Sequence, residues 1–375
     1  MDFSTCNRRQ FTRSMVSGAL TTTLYYPLFG RSKAINSNDI TWHNVEEIGV
    51  EGKGWHDTAR YFDRLPAKAE GEVREPVWNL SRHSAGMSFR FETDSSDILV
   101  RYTLLNERLA MPHMPATGVS GLDLYAHDAQ GIERWVSVVR PEEQTIETTI
   151  AKGLTPGSRM YTLYLPLYNG VESLEVGVLN GTSFDGIAPR DEKPILFYGT
   201  SIMHGACASR PGMAIPAILG RRLKKPTLNL GFSGNGRMES EVGALLIEQD
   251  PCAFVIDCLP NMNFETVSER AEPLVKQIRE AHRETSILMV EDRSFTNTPF
   301  FPALKARHTR SRKALRKAFQ ALLNEGIDNL YYLEGDHLLG LDGEGATDGS
   351  HPNDLGMMRY ADAYEPAIRA MLNKY

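Results

Sequence analysis

The chain has 375 residues, more than an ordinary single domain contains, so two domains are expected. Hydrophobic residues make up 41% of it and charged residues 23%, a balance that is typical of a soluble globular protein. The formal net charge of −6, with Lys and Arg scattered along the chain, argues against nucleic acid as a partner. The four cysteines show no Cys-x-x-Cys spacing, so neither a zinc site nor a disulfide framework is predicted.

The N-terminus resembles an export leader. A twin arginine at positions 8 and 9 is followed by a mildly apolar stretch and by a Ser-Lys-Ala sequence suited to signal peptidase. The stretch is too short, and too rich in Thr, Ser and Gly, to span a bilayer stably. We therefore expect residues 1–34 to be a twin-arginine signal peptide of a periplasmic or secreted protein without integral membrane association. A basic cytosolic N-terminus is the alternative.

Residues 35–190 have the pattern of short β-strands. Apolar residues alternate with polar ones over residues 87–91, and the same period of two recurs over 98–102. A later apolar strand runs into Asn169 and Gly170, a dipeptide that predicts a tight hairpin with the strand that follows. Frequent turns and few helical patterns indicate an antiparallel, jelly-roll-like β-sandwich.

The pattern changes near residue 191. Continuous apolar runs, as expected of buried parallel strands, alternate with helical patterns from here to the C-terminus. The runs cover residues 195–198, 227–230, 253–258, 287–290 and 330–333. Alternation of strand and helix predicts a second, α/β domain over residues 191–375, in which helices cover both faces of a parallel sheet.

Three residues of the α/β region form a candidate catalytic triad. Ser201 follows the first apolar run directly, and ligands of parallel sheets bind beyond the carboxyl ends of the strands. Asp348 and His351 form an Asp-x-x-His sequence, which places an acid and a base on one loop. A serine hydroxyl needs an imidazole to take its proton, and the imidazole needs a carboxylate to fix its tautomer. The sequence thus predicts an ester hydrolase.

Acyl transfer also needs hydrogen-bond donors for the oxyanion of the tetrahedral intermediate. Gly234 lies in the loop after the second apolar run, where its backbone N–H is a candidate donor. Asn261 follows the third run and offers its side-chain amide. With the N–H of Ser201, three adjacent loops would supply three donors.

These residues resemble the sequence blocks of a known family. Ser201, Gly234, Asn261 and His351 follow the order of the four blocks of the SGNH (GDSL-like) hydrolases, and Asp348 stands at their Asp-x-x-His position. The resemblance covers the chain from about residue 193 onward. It implies an SGNH-type α/β fold and assigns the five residues to the triad and the oxyanion hole.

The upstream region is similar to a domain that accompanies this family. Gly-Leu-Asp-Leu-Tyr at residues 121–125 resembles the Gly-x-Asp-Leu-Tyr signature of a β domain that precedes SGNH domains in some bacterial esterases. Two departures are visible in the hydrolase blocks. Thr200 stands where the family usually has Asp, and the third block, usually Gly-x-Asn-Asp, reads Leu-Pro-Asn-Met around Asn261.

The resemblance implies a reaction that needs no metal and no organic cofactor. Together with export, it favours an acylated carbohydrate as the substrate, because β-sandwich plus SGNH architectures recur among carbohydrate esterases. Removal of acetyl groups from a polysaccharide or oligosaccharide is the expected activity. A lipase or thioesterase acting on longer acyl chains, and a noncatalytic glycan-binding protein, are the alternatives.

Four further side chains are candidates for contact with the substrate. His204 lies three residues after Ser201 and is expected on the following helical turn, near the pocket. Arg210 could place a guanidinium at the mouth of the site, and Arg293 follows the fourth apolar run in a similar way. His113 could reach across from the β domain.

Overall fold

A computed structural model describes residues 37–373 of the chain. The predicted signal peptide, residues 1–34, lies outside this range. Within it, no helix is both long and apolar enough to cross a membrane.

The strands of the described range are, in chain order, β1 (Ile40–Asn44), β2 (Ser88–Thr93), β3 (Ile98–Leu104), β4 (Asp123–His127), β5 (Glu133–Val138), β6 (Thr145–Ala151), β7 (Arg159–Tyr164), β8 (Val171–Leu179), β9 (Phe184–Ile187), β10 (Ile195–Gly199), β11 (Thr227–Gly231), β12 (Ala253–Asp257), β13 (Ser286–Val290) and β14 (Leu330–Leu333). The helices are α1 (Val45–Ile48), α2 (Glu75–Ser81), α3 (Ala116–Val119), α4 (Ser201–His204), α5 (Ile215–Leu223), α6 (Ser240–Leu246), α7 (Phe264–Ala281), α8 (Pro302–Asn324) and α9 (Asp354–Leu372).

Strands β1 to β9 form two antiparallel sheets, with the orders β1-β8-β3-β6 and β5-β4-β7-β2-β9. The alternation in β2 places Phe89 and Phe91 on the inner face, where both are fully buried. Their partners in the core include Val100 and Tyr102 of β3, in the opposite sheet. Because the inner side chains of both sheets share one apolar core, the predicted antiparallel β-sandwich is confirmed.

The hairpin predicted at Asn169 and Gly170 is wrong, because β7 and β8 belong to different sheets. The Asn169 amide is buried and donates to the Asn106 carbonyl at 3.0 Å and to the Ser120 hydroxyl at 3.1 Å. A Cβ at Gly170 would lie 2.4 Å from the Arg82 carbonyl oxygen. The dipeptide therefore serves as a buried crossing between the sheets rather than as an exposed turn.

Strands β10 to β14 form a parallel sheet with the order β11-β10-β12-β13-β14, as predicted for the C-terminal region. The chain passes from β10 to β11 on one side and then to β12 on the other. Gly199 at the end of β10 is in register with Gly231 of β11 and Asp257 of β12. The carboxyl ends of these three strands are therefore level, and the reversal of strand order opens a crevice beyond β10.

Apolar cores cover both faces of the parallel sheet. Helices α6, α7 and α8 contribute to one core, and α5 and α9 contribute to the other. The segment that precedes β2 also packs on the first face, where Leu65, Val77 and Trp78 join Leu230 and Phe254 in one buried cluster. Segments from the N-terminal and the C-terminal half of the sequence thus pack against the sheet that carries Ser201.

Candidate active site

Ser201 is the first residue of α4, directly beyond β10. The Thr200 side chain accepts a hydrogen bond from the Ile202 N–H at 3.3 Å, so a threonine caps the helix where the family usually has aspartate. A Cβ at Gly199 would lie 2.5 Å from Met203 Cγ, so only glycine permits this close turn from strand to helix. The turn holds the Ser201 hydroxyl at the carboxyl edge of the sheet.

The structure brings Ser201, His351 and Asp348 into one hydrogen-bonded chain. Ser201 Oγ lies 2.9 Å from His351 Nε2, and His351 Nδ1 lies 2.7 Å from Asp348 Oδ2. These distances allow Nδ1–H to donate to the carboxylate, which leaves Nε2 free to accept the serine proton. Residues 150 positions apart along the chain therefore meet with the geometry of a nucleophile, a base and an orienting acid.

The carboxylate of Asp348 also organises its own loop. Its Oδ1 accepts the N–H groups of Ser350 at 2.9 Å and of His351 at 2.8 Å. Burial would raise the pKa of Asp348, but the hydrogen bonds from His351 and Ser350 outweigh it and lower the pKa to about 2. Asp348 therefore stays ionised at neutral pH and can accept the hydrogen bond from His351.

The predicted donors Ser201 and Gly234 carry backbone N–H groups that have no acceptor among residues 37–373. Gly234 has a φ of +70°, which glycine adopts without strain, and a Cβ there would meet nothing within 4 Å. The loop after β11 thus presents the Gly234 backbone to open space. Both groups are available for a ligand oxygen.

Asn261 ends a 3-10 turn over Leu259–Asn261, after β12. In the amide orientation that satisfies its hydrogen bonds, Oδ1 accepts from the Asn235 N–H at 3.0 Å and from the Gly236 N–H at 3.3 Å. This arrangement ties Asn261 to the loop that carries Gly234 and turns its Nδ2 away from those two N–H groups. Asn261, in the altered third sequence block, therefore contacts the loop of the second block, which carries Gly234.

Of the four predicted substrate contacts, only His113 lies beside the triad on the exposed side. Its imidazole is exposed, and its ring centroid lies 6.0 Å from that of His351. His113 lies in a turn between β3 and β4. The turn is closed by Met111 and Met114, since the backbone N–H of each donates to the carbonyl of the other at 3.0 Å. The β region therefore contributes a side chain to the rim of the site.

The expectation that His204 contacts the substrate is wrong. Its side chain is fully buried, stacks on Tyr168 with ring centroids 4.1 Å apart, and bonds the Leu167 carbonyl through Nε2 at 2.6 Å. Burial, and then the charge of Arg64, hold the pKa of His204 well below its usual value, so the ring is neutral. The short helix α4 turns this side chain toward the β-sandwich rather than toward the crevice.

The structure gives Arg210, the third candidate, partners within the protein. Its guanidinium donates to Asp123 Oδ2 at 2.9 Å and also bonds the Tyr125 hydroxyl. Asp123 additionally accepts the Gly212 N–H at 2.8 Å and the Trp135 indole N–H at 3.0 Å. The Asp and Tyr of the Gly-x-Asp-Leu-Tyr sequence therefore bind Arg210 across the boundary between the sandwich and the α/β region.

Arg293, the fourth candidate, cannot reach a substrate because it is 3% exposed. It donates to the carbonyl oxygen of Ser350 at 3.1 Å and to the Ser350 hydroxyl, and it pairs with the neighbouring Asp292. The predicted direct contact is therefore wrong. Arg293 points under the loop of Asp348 and His351 because the end of β13 lies beneath that loop.

Two side chains behind the site were missed by sequence reasoning. The Tyr168 hydroxyl donates to the Ser201 carbonyl at 3.3 Å. Arg64, 1% exposed, donates to the carbonyls of Asn229 at 3.0 Å and Gly231 at 2.8 Å, where the loop that carries Gly234 begins. Neither had a signal in the sequence, since Arg64 stands among other charged residues, Arg60, Asp63 and Lys68.

Two protein-family profiles match the chain, one in each half. The profile of the GDSL-like lipase/acylhydrolase family matches residues 192–369, and the profile for the N-terminus of SGNH hydrolase-type esterases matches residues 40–184. A search of curated proteins gives no significant match.

Solved structures of similar proteins cover nearly the same extent. A Bacteroides ovatus protein described as a GDSL-like lipase is 33% identical, with a TM-score of 0.85 over 89% of this chain and 98% of its own. A salicylyl-acyltransferase from a tetracycline biosynthetic pathway is 18% identical, with a TM-score of 0.67 over 89% and 95%. A family two carbohydrate esterase from Cellvibrio japonicus shares the fold at 10% identity, with a TM-score of 0.60 over 89% and 98%. The chain therefore belongs to the GDSL-like lipase/acylhydrolase family and carries the N-terminal region of SGNH hydrolase-type esterases.

Proposed function

We propose that the protein is a serine esterase in which Ser201 is the nucleophile, His351 the general base and acid, and Asp348 the residue that orients His351. The observation that carries the proposal is the continuous contact from Ser201 Oγ to His351 Nε2 at 2.9 Å and from His351 Nδ1 to Asp348 at 2.7 Å. Both distances fall within hydrogen-bonding reach, as proton transfer between these groups requires.

The reaction has two halves that share one proton route. Ser201 Oγ attacks the ester carbonyl carbon while its proton passes to His351 Nε2. His351 returns this proton to the alcohol oxygen as the bond between carbonyl carbon and alcohol oxygen breaks, which leaves an acyl group on Ser201. A water molecule then gives a proton to His351 and attacks the acyl carbon, and the proton returns to Ser201 Oγ as the acid leaves.

In both halves the carbonyl oxygen takes up negative charge. The free N–H groups of Ser201 and Gly234, together with the Asn261 amide, would donate to this oxyanion. Fixed donors of this kind are effective because they need no reorganisation as the charge develops. This assignment is part of the proposal.

We further propose that the substrate is an acetylated carbohydrate. Structures of this fold include carbohydrate esterases and an acetyl xylan esterase from Butyrivibrio proteoclasticus. His113 supports an alcohol part that is polar, because it lies on the exposed side of His351, the residue that would protonate the leaving alcohol. The leader predicted in residues 1–34 would place the enzyme where polysaccharides occur.

One observation favours longer acyl chains as a second candidate. Phe300 and Phe301 are 83% and 52% exposed. They follow a loop in which the Thr296 N–H donates to the Gly349 carbonyl at 2.9 Å, inside the loop of Asp348 and His351. Two exposed aromatic rings in this position offer apolar surface that an acyl chain could cover.

The test combines one substrate panel with matched variants. Acetate release is measured on acetylated xylan, pectin, mannan and peptidoglycan. It is compared with nitrophenol release from nitrophenyl esters of increasing acyl length. Ser201→Ala is expected to lower turnover at least about a thousandfold. Ser268→Ala, on the exposed face of α7, is the control and should match wild type.

The outcomes separate the candidates. Activity near wild type in Ser201→Ala would reject the site, and a noncatalytic glycan-binding protein would show binding without turnover. Faster turnover of long-chain acyl esters than of acetyl esters would reject the acetyl ester in favour of a lipid-like substrate.

His113→Ala should lower kcat/KM on an acetylated oligosaccharide by about tenfold, the value of one hydrogen bond, while kcat/KM on nitrophenyl acetate changes little. His127→Ala, in β4, is the matched control.

A further inference from the structure

We propose that Arg293 is a positioning residue, which holds residues 348–351 so that the His351 imidazole points at Ser201. The proposal rests on the esterase function proposed above. It gives a role to an arginine that is too buried to reach a substrate. The residues 348–351 are called the acid–base loop below.

The guanidinium of Arg293 binds the acid–base loop through two separate N–H groups. Nε donates to the Ser350 carbonyl oxygen at 3.1 Å, and a terminal nitrogen donates to the Ser350 hydroxyl. The planar fork of arginine holds its N–H donors in fixed directions, whereas the three donors of a lysine ammonium rotate on a flexible stem. The contact therefore restrains both the position and the orientation of Ser350.

This restraint acts on the peptide bond that leads into His351. The Ser350 carbonyl and the His351 N–H belong to the same planar unit. Arg293 holds its oxygen, and Asp348 Oδ1 accepts its N–H at 2.8 Å. With both ends of the unit bonded, the direction in which the His351 side chain leaves the backbone is set. Arg293 is the contact that holds the carbonyl end of this unit.

Arg293 is itself held from the side remote from the site. It pairs with Asp292, whose other carboxylate oxygen lies 2.7 Å from Nδ1 of His308 in α8. The Phe295 ring lies against the guanidinium, with its centroid 4.5 Å from Cζ. Asp292, Arg293 and His308 are all at most 3% exposed. A chain of buried contacts thus connects α8, the end of β13 and the acid–base loop.

A buried ion pair is a costly way to stabilise a fold, because both charges lose their hydration. Burial would raise the pKa of Asp292, but the charge of Arg293 and the bond from His308 hold it below its usual value, so the pair stays charged. An apolar pair would fill the same space with no desolvation cost. The directional hydrogen bonds to Ser350 are what the charged pair adds, and they serve the loop.

The predicted consequence depends on the leaving group. An alkyl alcohol must receive a proton from His351 as it departs, whereas nitrophenolate leaves readily without one. A misplaced imidazole therefore slows alkyl acetates more than nitrophenyl acetate. A general loss of folded protein slows both equally. The ratio of the two rates thus reports on the position of His351.

The test compares Arg293→Lys with Arg312→Lys in the full chain. Arg312 donates to the Asp292 carbonyl at 2.8 Å and pairs with Asp336, but it has no bond to the acid–base loop, so it is the matched control. Arg293→Lys should lower kcat for an alkyl acetate about tenfold more than for nitrophenyl acetate, with KM nearly unchanged. Arg312→Lys should leave the ratio at the wild-type value. Equal losses on both esters in Arg293→Lys would overturn the proposal.

Two further measurements separate this proposal from the proposed function. The low-field proton NMR signal of His351 Nδ1–H needs no substrate, and it should shift or broaden in Arg293→Lys but not in Arg312→Lys. An unchanged signal overturns the positioning role, whereas a wild-type protein without esterase activity overturns the function alone. If Arg293→Lys does not fold, Ser350→Ala removes one of the two acceptors and should change the rate ratio in the same direction. An unchanged ratio in that variant would count against Arg293.

Discussion

Replacing Asp257 with asparagine is expected to stabilise the protein at neutral and alkaline pH. Asp257 is the last residue of β12, is 1% exposed, and accepts a hydrogen bond from the Tyr364 hydroxyl at 2.7 Å. Burial raises the pKa of Asp257 to about 7, with the charge of Asp292 acting in the same direction and the bond from Tyr364 opposing both. An asparagine keeps an oxygen that can accept from Tyr364, but it carries no charge.

The sign follows from the protons that each state binds. In the unfolded chain the carboxyl loses its proton near its ordinary pKa of 3.8, whereas in the folded protein it keeps the proton up to about pH 7. The folded state therefore binds more protons across this window, and its stability falls as the pH rises through it. Above pH 7 the buried Asp257 charge lowers the free energy of unfolding by its full amount. At 1.36 kcal/mol per pH unit of pKa shift, this amount is on the order of 4 kcal/mol, an upper bound because the folded site can relax around the charge.

The assay is urea or thermal unfolding of wild type and Asp257→Asn at pH 4.5 and pH 8, at constant ionic strength. The variant should gain stability over wild type at pH 8 and much less at pH 4.5. Asp362→Asn, which removes an exposed carboxylate paired with Arg222, should show no such pH dependence. An equal stability difference at both pH values would refute the argument, since it would mean that Asp257 has the same charge in the folded and unfolded states.

Two more predictions concern the oxyanion site and the contact between the β-sandwich and the α/β region. Asn261→Ala should lower kcat by about a hundredfold or more with KM little changed, because one oxyanion donor is lost, and an unchanged kcat would remove Asn261 from the proposed hole. Asp123→Ala should cost about 3 kcal/mol in urea unfolding, the lower end of the range for a buried pair, because it leaves the partly buried Arg210 charge without its carboxylate. A loss below about 1 kcal/mol would contradict the role given to Asp123.

The strands whose side chains have a regular pattern of burial were predictable from the sequence. Every second side chain of β2 faces the sandwich core, so its apolar residues alternate, whereas both faces of β12 are covered, so its apolar run is continuous. The Asp-x-x-His sequence was informative for a similar reason, because an acid three residues before a histidine can bond to it within one turn. In each case the physical constraint acts between residues that are close along the chain.

The direction of a polar side chain at the edge of the sheet was decided by the tertiary structure. Arg210, Arg293 and His204 all follow strands whose ends surround the site, and the sequence offers no sign that each has a hydrogen-bond partner within the protein. Their partners Asp123, Ser350 and Leu167 lie 87, 57 and 37 residues away. A buried polar group goes wherever its hydrogen bond can be satisfied, and only the packing of distant segments determines where that acceptor stands.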